Sequence, residues 1–268
     1  MSAYAQKAKH ATKRVRRRLA GLIAPELEAE LRATRRKLKK ARAERPDDLP
    51  EELEATIARA RKEHLTYLKP DNLRELAARV LDVEKRGLDG LVIEAGTARG
   101  GSAIVMAAAK APERPMKVYD VFGLIPPPSE QDGADVHERY AKISAGEARG
   151  PGGETYYGYR DDLYTEVEQS FSRLGVPTAE RNVDLVKGLF EDTIDIDGPV
   201  AIAHLDGDWY ESTMTCLTRI APHVVPGGRI VFDDYYHWSG CRAAVDEYFK
   251  DREEFRLEHG SRLHAVRV

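Results

Sequence analysis

Short apolar segments alternate with longer amphipathic segments along most of this chain. Compact apolar segments predict strands, and apolar residues spaced three and four positions apart predict helices. Strands are predicted from residue 91 onward and at 116–121, 183–187, 200–205, 229–232, 255–259 and 263–268. Helices are predicted at 51–64, 71–86, 103–110, 135–145, 161–174, 212–220 and 241–249. The alternation favours an α/β fold with a mostly parallel sheet, in which the last two strands form an antiparallel hairpin.

The N-terminal segment differs from the rest of the chain in charge. Residues 1–45 are predicted to be helical, and residues 1–50 hold 15 Lys and Arg but only 6 Asp and Glu. The remainder holds 27 and 39. Such a basic arm suits anionic lipid or nucleic acid, or else a partner subunit or a mobile segment. We favour the last two, with self-association as a dimer or larger oligomer, because no aromatic residues interleave the basic ones for stacking on nucleic acid.

Composition sets the broad class. A length of 268 residues with 42% hydrophobic residues fits one α/β domain with an appendage. The chain has neither a run of about 20 apolar residues for a membrane helix nor a signal-peptide pattern, so we expect a cytoplasmic protein. Its two cysteines, Cys216 and Cys241, have no metal-ligand spacing and are expected to be buried.

A glycine-rich turn follows the first predicted strand. Its glycines, Gly96, Gly100 and Gly101, allow close approach of a ligand to the backbone and tight packing of the next helix. A plain βα loop would also use such glycines. Asp120 ends the second predicted strand 24 residues after Gly96, where a carboxylate can bind ribose hydroxyls. Glu94 would repel a dinucleotide phosphate but attract a sulfonium, which favours S-adenosylmethionine over NAD.

Four aspartates follow two further predicted strands. Asp206 and Asp208 come after residues 200–205, and Asp233 and Asp234 follow 229–232. The carboxyl ends of parallel strands meet at one edge of a sheet, where these carboxylates would repel one another without a cation. Oxygen ligands suit a hard ion such as Mg²⁺. Individually, each aspartate would also serve as a helix cap or turn residue.

Two other segments have candidate functions. Residues 122–160 form a long irregular stretch rich in Pro, Gly and Tyr, interrupted by the helix at 135–145, and are predicted to be a lid over the site. Gly188 and Phe190, after the third predicted strand, would flank an adenine ring. His204 lies within a strand and is interpreted as a core histidine rather than a ligand.

These motifs together resemble the macrocin O-methyltransferase family of class I methyltransferases. The resemblance lies in Glu94-x-Gly96-x-x-x-Gly100-Gly101-Ser102, Gly188-x-Phe190-x-Asp192-Thr193, Asp206-Gly207-Asp208-x-Tyr210-x-Ser212, Pro226-Gly227-Gly228 and Asp233-Asp234-Tyr235 with Trp238 and Gly240. The family implies a Rossmann-like fold with a seven-stranded, mostly parallel sheet. The predicted domains are then a charged helical extension at 1–64 and a methyltransferase domain at 65–268.

The resemblance also implies roles for individual residues. Asp206, Asp233 and Asp234 match the family's Mg²⁺ ligands, Asp208 its general base, and Asp120 its ribose-binding carboxylate. The S-adenosylmethionine site is then predicted at Glu94, Gly96, Thr97, Gly100, Gly101, Ser102, Asp120, Gly188 and Phe190. The chain departs from the family pattern at Thr97-Ala98 and at Val121, where the family often has serine. It also departs from the pattern in the proline- and tyrosine-rich segment 122–160.

The expected function is Mg²⁺-dependent transfer of a methyl group from S-adenosylmethionine to a hydroxyl of a sugar or glycoside. The acceptor would be a secondary metabolite or a cell-envelope saccharide. Two other enzymatic hypotheses stay open: a catechol-type methyltransferase acting on a phenol, and a glycosyltransferase using Asp206-Gly207-Asp208 to bind a metal and a nucleotide sugar. In a fourth, non-enzymatic hypothesis the domain is a scaffold for the basic arm.

Overall fold

The computed structural model describes residues 49–268, so the predicted basic helix at 1–45 lies outside the described residues. The described helices are α1 (Glu51–Lys62), α2 (Pro70–Lys85), α3 (Gly101–Ala109), α4 (Ala134–Ser144), α5 (Leu163–Arg173), α6 (Phe190–Thr193), α7 (Tyr210–Ile220) and α8 (Ser239–Phe249). The strands are β1 (Leu91–Ala95), β2 (Met116–Asp120), β3 (Val183–Lys187), β4 (Val200–Leu205), β5 (Val224–Phe232), β6 (Phe255–His259) and β7 (Leu263–Arg267).

The strands form one sheet in the order β3-β2-β1-β4-β5-β7-β6. The first five strands are parallel to one another, and β7 runs antiparallel to both β5 and β6. This arrangement confirms the predicted seven-stranded, mostly parallel sheet with a terminal antiparallel hairpin. The order reverses direction next to β1, so the adjacent carboxyl ends of β1 and β4 border the crevice where α/β sheets bind ligands.

Alternate residues of the central strands point to opposite faces of the sheet, as the period of two in a strand requires. Val92 and Ile202 join the core beneath α1, α2, α3 and α5, whereas Ile93 and Ala203 join the core beneath α7 and α8. Each fully buried aliphatic side chain contributes about 1.5–3 kcal/mol to folding. The sheet is therefore held between two packed layers of helices, which fix the positions of its strand ends.

Helix α1 is part of this packing. Leu53, Ile57 and Ala60 are buried and belong to the core formed with α2 and α3. The described residues fall within one compact unit, Asp48–Val268. The boundary between residues 64 and 65 stays a prediction, but residues on its N-terminal side contribute to the core.

The structure departs from the predicted elements in two places. Strand β5 begins at Val224, five residues before the predicted start at 229, so Pro226-Gly227-Gly228 lies within the strand, which has an irregular register against β4. The short helix α6 was not predicted, because four residues are too few to show a helical period.

Cys216 and Cys241 are buried free thiols, as expected. Within residues 49–268, no helix combines the length and the apolar character needed to cross a bilayer.

Candidate active site

The carboxyl ends of β1, β4 and β5 lie side by side. The Asp206 amide donates to the carbonyl of Ala95 at 2.9 Å, and the Asp233 amide donates to the carbonyl of Leu205 at 3.0 Å. These bonds continue the strand pairing by one residue. They bring the glycine turn after β1 and both aspartate pairs to one edge of the sheet, as the sequence predicts.

Three of the four aspartates form a cluster. Asp206, Asp208 and Asp234 each offer a carboxylate oxygen, and these oxygens all lie within 4.8 Å of one another. Burial and the neighbouring carboxylates raise the pKa of Asp206 and of Asp234 well above the usual range. Carboxylates so close together are poorly stable as anions without a cation. The oxygen-only donor set and the accumulated negative charge fit a hard divalent ion such as Mg²⁺.

Asp208 is held in a defined orientation. Its backbone adopts a positive φ of 57°, which few residues other than Gly, Asn and Asp tolerate. Its amide donates to Asp234 Oδ2 at 3.2 Å, and its Oδ1 accepts a hydrogen bond from Trp238 Nε1 at 2.9 Å. Trp238 in turn packs edge-on against Trp209. Burial and the nearby Asp233 raise the pKa of Asp208 to about 7, despite the hydrogen bond from Trp238.

Asp233 lies beside the cluster but has cationic partners of its own. Arg262 donates to both of its oxygens, from Nε at 2.6 Å and from Nη2 at 3.0 Å. His204 Nε2 lies 3.9 Å from Asp233 Oδ1. Burial alone would raise the pKa of Asp233, but His204 and Arg262 hold it below its usual value. Arg262 was not identified from the sequence, because its position on the β7 side of the terminal hairpin becomes informative only in the folded sheet.

His204 links the aspartates at the ends of β4 and β5 to the glycine turn. Its Nδ1 lies 3.0 Å from Glu94 Oε1, and Thr97 Oγ1 donates to Glu94 Oε2 at 2.6 Å. Burial would lower the pKa of His204, but Asp233 and Glu94 outweigh burial and raise it to about 10. His204 is buried in the core as expected, and it also lies between the carboxylates of Glu94 and Asp233. Both oxygens of Glu94 have partners within the protein.

The glycine turn packs directly against the aspartate strand. Gly96 has a φ of 86°, and a Cβ there would collide with the carbonyl oxygen of Asp206. Asp120 holds the turn from the other side: its Oδ2 accepts from the amides of Thr97 at 2.7 Å and Ala98 at 3.2 Å, and its Oδ1 from Phe122 at 2.7 Å. Burial raises the pKa of Asp120, opposed by these three amides.

The other predicted cofactor residues surround this turn. Gly100 has a φ of 85°, and a Cβ on Gly101 would lie 2.7 Å from the Leu65 carbonyl oxygen. Gly101 and Ser102 begin α3 and are buried. The Gly188 amide donates to the Asp120 carbonyl at 3.0 Å, and Phe190 lies against Gly207. The structure thus brings all nine predicted cofactor residues to the same end of β1, β2 and β3.

A tyrosine-rich segment lies over this edge. Tyr156 and Tyr157 have ring centroids 4.3 Å apart, and Tyr157 packs edge-on against Tyr67 at 6.3 Å. Burial raises the pKa of Tyr157 well above its usual value, with further contributions that include Asp208 and Asp120. Tyr157 therefore lies within electrostatic range of both the acidic cluster and the glycine turn. Tyr67 was missed by sequence reasoning, since it lies in an unremarkable stretch between α1 and α2.

The sequence of this chain is similar to those of known O-methyltransferases. A family model described as macrocin-O-methyltransferase matches residues 4–257. Demethyldecarbamoylnovobiocin O-methyltransferase of Streptomyces niveus is 30% identical over 190 residues, covering 66% of this chain and 64% of that protein. Mycinamicin III 3''-O-methyltransferase of Micromonospora griseorubida is 31% identical over 197 residues, covering 70% of each chain.

A solved structure shows the same fold. The O-methyltransferase NovP is 27% identical, with a TM-score of 0.63 over 76% of this chain and 82% of that chain. This likeness confirms the class I methyltransferase fold expected from the sequence. The sequence match to the novobiocin enzyme spans slightly less than two thirds of that enzyme's length.

Proposed function

Because the chain belongs to the macrocin-O-methyltransferase family, we propose that it transfers a methyl group from S-adenosylmethionine to a hydroxyl of a sugar or glycoside, with Mg²⁺. The observation that carries the proposal is the cluster of Asp206, Asp208 and Asp234 beside a glycine turn. A further relative, 8-demethyl-8-(2,3-dimethoxy-alpha-L-rhamnosyl)-tetracenomycin-C 4'-O-methyltransferase of Streptomyces olivaceus, is 32% identical over 184 residues, and the rhamnosyl group in its name supports a glycoside acceptor.

S-adenosylmethionine would bind over the glycine turn. The backbone of Gly96, Gly100 and Gly101 would let the ligand approach closely, and Asp120 would bind the ribose hydroxyls. Thr97 and Ser102 would border the ligand at the same turn, and Gly188 and Phe190 would flank the adenine. Glu94 acts indirectly: with both oxygens engaged by His204 and Thr97, it positions the turn and contributes negative charge near the sulfonium.

The metal would be held by Asp206, Asp234 and a third carboxylate. The family resemblance assigns that third position to Asp233, whose oxygens pair with Arg262, whereas Asp208 lies closer to the other two. We retain Asp233 as the ligand and Asp208 as the base, because Trp238 orients the Asp208 carboxylate through Oδ1 and Oδ2 can then accept a proton. Mg²⁺, when bound, supplies the acidification of a neighbouring sugar hydroxyl.

The proposed reaction is a direct displacement. S-adenosylmethionine would supply the methyl group: a bond would form between the acceptor hydroxyl oxygen and the methyl carbon, the carbon–sulfur bond would break, and its electron pair would stay on sulfur in S-adenosylhomocysteine. The hydroxyl proton passes to Asp208 Oδ2 and from there to solvent. The protein's contribution is to align oxygen, carbon and sulfur, which removes much of the entropic barrier of a bimolecular reaction.

Calorimetry provides the first test. We expect micromolar binding of S-adenosylmethionine, and methylation of a vicinal-diol glycoside that stops when EDTA removes Mg²⁺. Binding of a nucleotide sugar in place of S-adenosylmethionine would contradict the proposal and support a glycosyltransferase. Methylation of a catechol but of no glycoside would move the acceptor class to phenols.

Two substitutions divide the acidic residues by role. Asp208→Asn should lower kcat with little change in Mg²⁺ affinity, and Asp233→Asn should weaken Mg²⁺ binding. The reverse pattern, with Mg²⁺ affinity lost in Asp208→Asn and kept in Asp233→Asn, would make Asp208 the third ligand. Mg²⁺ titrations followed by calorimetry distinguish the two patterns.

A further inference from the structure

An aromatic surface lies open beside the acidic cluster. Tyr67 is 45% exposed, although its ring packs against Tyr157, and Leu124 is 44% exposed beside Gly158. Burial raises the pKa of Tyr67 to about 12, with smaller effects of opposite sign from Arg139 and Asp208. Tyr67 thus lies within electrostatic range of both. Exposed apolar groups gathered at one place commonly mark a binding surface.

Arg139 is the cation of this surface. It projects from α4, and its Cζ lies 5.7 Å from the centroid of the Tyr156 ring. Two other arginines near the tyrosine segment have carboxylate partners: Arg99 binds Glu154 at 2.7 Å, and Arg160 binds Glu166 at 2.7 Å. Among residues 49–268, Arg139 has the aromatic contact but no carboxylate within ion-pair distance.

We propose that Arg139, with Tyr67 and Tyr157, forms the acceptor subsite and that the acceptor is an anionic saccharide whose carboxylate or phosphate binds Arg139. This inference rests on the proposed methyltransferase function and adds the charge of the substrate. The tyrosine rings would pack against the apolar face of the sugar. The guanidinium of Arg139 is half-buried and forms no ion pair among the described residues, so an anionic group can accept hydrogen bonds from it.

The chemistry of arginine favours this occupant over a neutral sugar. A guanidinium presents a planar set of donors that matches the two oxygens of a carboxylate or phosphate, with hydrogen bonds stronger than those to a neutral hydroxyl. The acidic cluster would face the metal and the reacting hydroxyl. Arg139 would face the anionic group on the other side of the ring, so the two charged ends together fix which hydroxyl reaches the methyl donor.

The test compares matched sugars on one protein complex. The full chain is loaded with S-adenosylhomocysteine and Mg²⁺ and titrated calorimetrically with methyl α-D-glucopyranoside, its uronate counterpart, and α-D-glucose 1-phosphate. We expect one or both anionic sugars to bind about tenfold or more tightly than the neutral one, the size expected for a hydrogen bond between charged groups. The uronate and the phosphate distinguish a carboxylate-bearing from a phosphate-bearing acceptor.

Variants of α4 assign the preference to its residue. Arg139→Gln should remove the preference for the anionic sugar, and Arg139→Lys should keep part of it. Lys142→Gln removes a positive charge from an exposed position on the same helix and should leave the preference intact. Thermal melting verifies that each variant is folded. Tyr67→Ala should weaken all bound sugars alike.

Several outcomes would overturn the inference. These are equal binding of neutral and charged sugars, no binding of any of the three at millimolar concentration, and an anionic preference that survives in Arg139→Gln. The last would mean that the anion binds the metal instead. Failure of S-adenosylhomocysteine to bind would refute the proposed function itself, whereas intact binding without a charge preference would refute only the role of Arg139.

Discussion

The site has two halves, the glycine turn with Asp120 and the acidic cluster, and the two differ in how the charge of their carboxylates is compensated. Asp120, beside the glycine turn, has three backbone amides pointing at its two oxygens. Asp206 and Asp234, at the ends of β4 and β5, face each other and Asp208. The first half compensates its negative charge with its own backbone. In the second half, the negative charge has to be compensated by a bound cation or by protons.

The glycine turn is therefore formed by the fold itself, whereas the acidic cluster depends on a bound cation or protons. Asp120 fixes the shape of the glycine turn whether or not a ligand is present, because amide donors are part of the fold. The acidic cluster becomes favourable only when a cation joins it or protons neutralise it. Between the two halves, His204 lies 3.0 Å from Glu94 on one side and 3.9 Å from Asp233 on the other, so it connects the glycine turn to the aspartates.

The largest effect is expected where the two halves touch. Gly96→Ala would place a methyl group against the Asp206 carbonyl and force a left-handed backbone on alanine. We expect a loss of about 3 kcal/mol or more in the free energy of unfolding, with loss of both S-adenosylmethionine and Mg²⁺ binding. Thermal melting and calorimetry measure these quantities.

A matched glycine separates the collision from the backbone strain. Gly175 has a φ of 83° and no atom within 4 Å of the position of its Cβ. Gly175→Ala should therefore carry only the left-handed cost of about 1–2 kcal/mol and leave ligand binding unchanged. Equal effects of the two substitutions would mean that the contact between Gly96 and Asp206 is unimportant.

The second prediction concerns Mg²⁺ and pH. The raised pKa values of Asp206, Asp208 and Asp234 mean that the folded protein holds protons that the unfolded chain releases above pH 4. Without metal, their contribution to stability falls as pH rises through pH 7. Mg²⁺ competes with those protons, so its stabilisation should grow from pH 5 to pH 8, reaching about 2.7 kcal/mol at one hundred times its dissociation constant.

Melting curves with Mg²⁺ and with EDTA across that pH range measure the effect. Ca²⁺ and Na⁺ serve as controls for a hard divalent ion and for ionic strength. A Mg²⁺-induced shift in Tm that is flat or decreases with pH would contradict a metal site at the acidic cluster.

The sequence predicts the features of the site that depend on local pattern, but not the contacts between residues that are far apart in the chain. The strands and the positions of Gly96, Asp120 and the four aspartates follow from local pattern, because parallel strands bring their carboxyl ends together. The partners of those carboxylates do not follow. Arg262 reaches Asp233 across the antiparallel pairing of β5 and β7, and Tyr67 reaches Tyr157 from a loop about 90 residues away. Such contacts depend on tertiary packing, which no local period encodes.

The third prediction exchanges one oxygen for an amide in each half. Asp120→Asn would turn an NH₂ group toward backbone amides and lower the free energy of unfolding by about 1–3 kcal/mol. Asp234→Asn would instead remove a carboxyl group whose ionisation burial and its acidic neighbours oppose, and should raise the free energy of unfolding of the metal-free protein at pH 7. Denaturant unfolding in EDTA measures both. Changes of the same sign in the two variants would remove the distinction between the halves.

The smallest effect is expected at the connection between the tyrosine-rich segment and the glycine turn. Glu154 pairs with Arg99 at 2.7 Å and is itself 40% exposed, so Glu154→Gln should change the free energy of unfolding by less than about 1 kcal/mol. Because Arg99 also donates to the His64 carbonyl at 3.1 Å, the turn keeps a second anchor while the segment loses one. We therefore expect faster proteolysis within 122–160 and a higher KM for the acceptor, with S-adenosylmethionine affinity unchanged. Glu168→Gln, an exposed change on α5, is the control, and a loss of cofactor affinity in Glu154→Gln alone would show that the segment and the turn act as one unit.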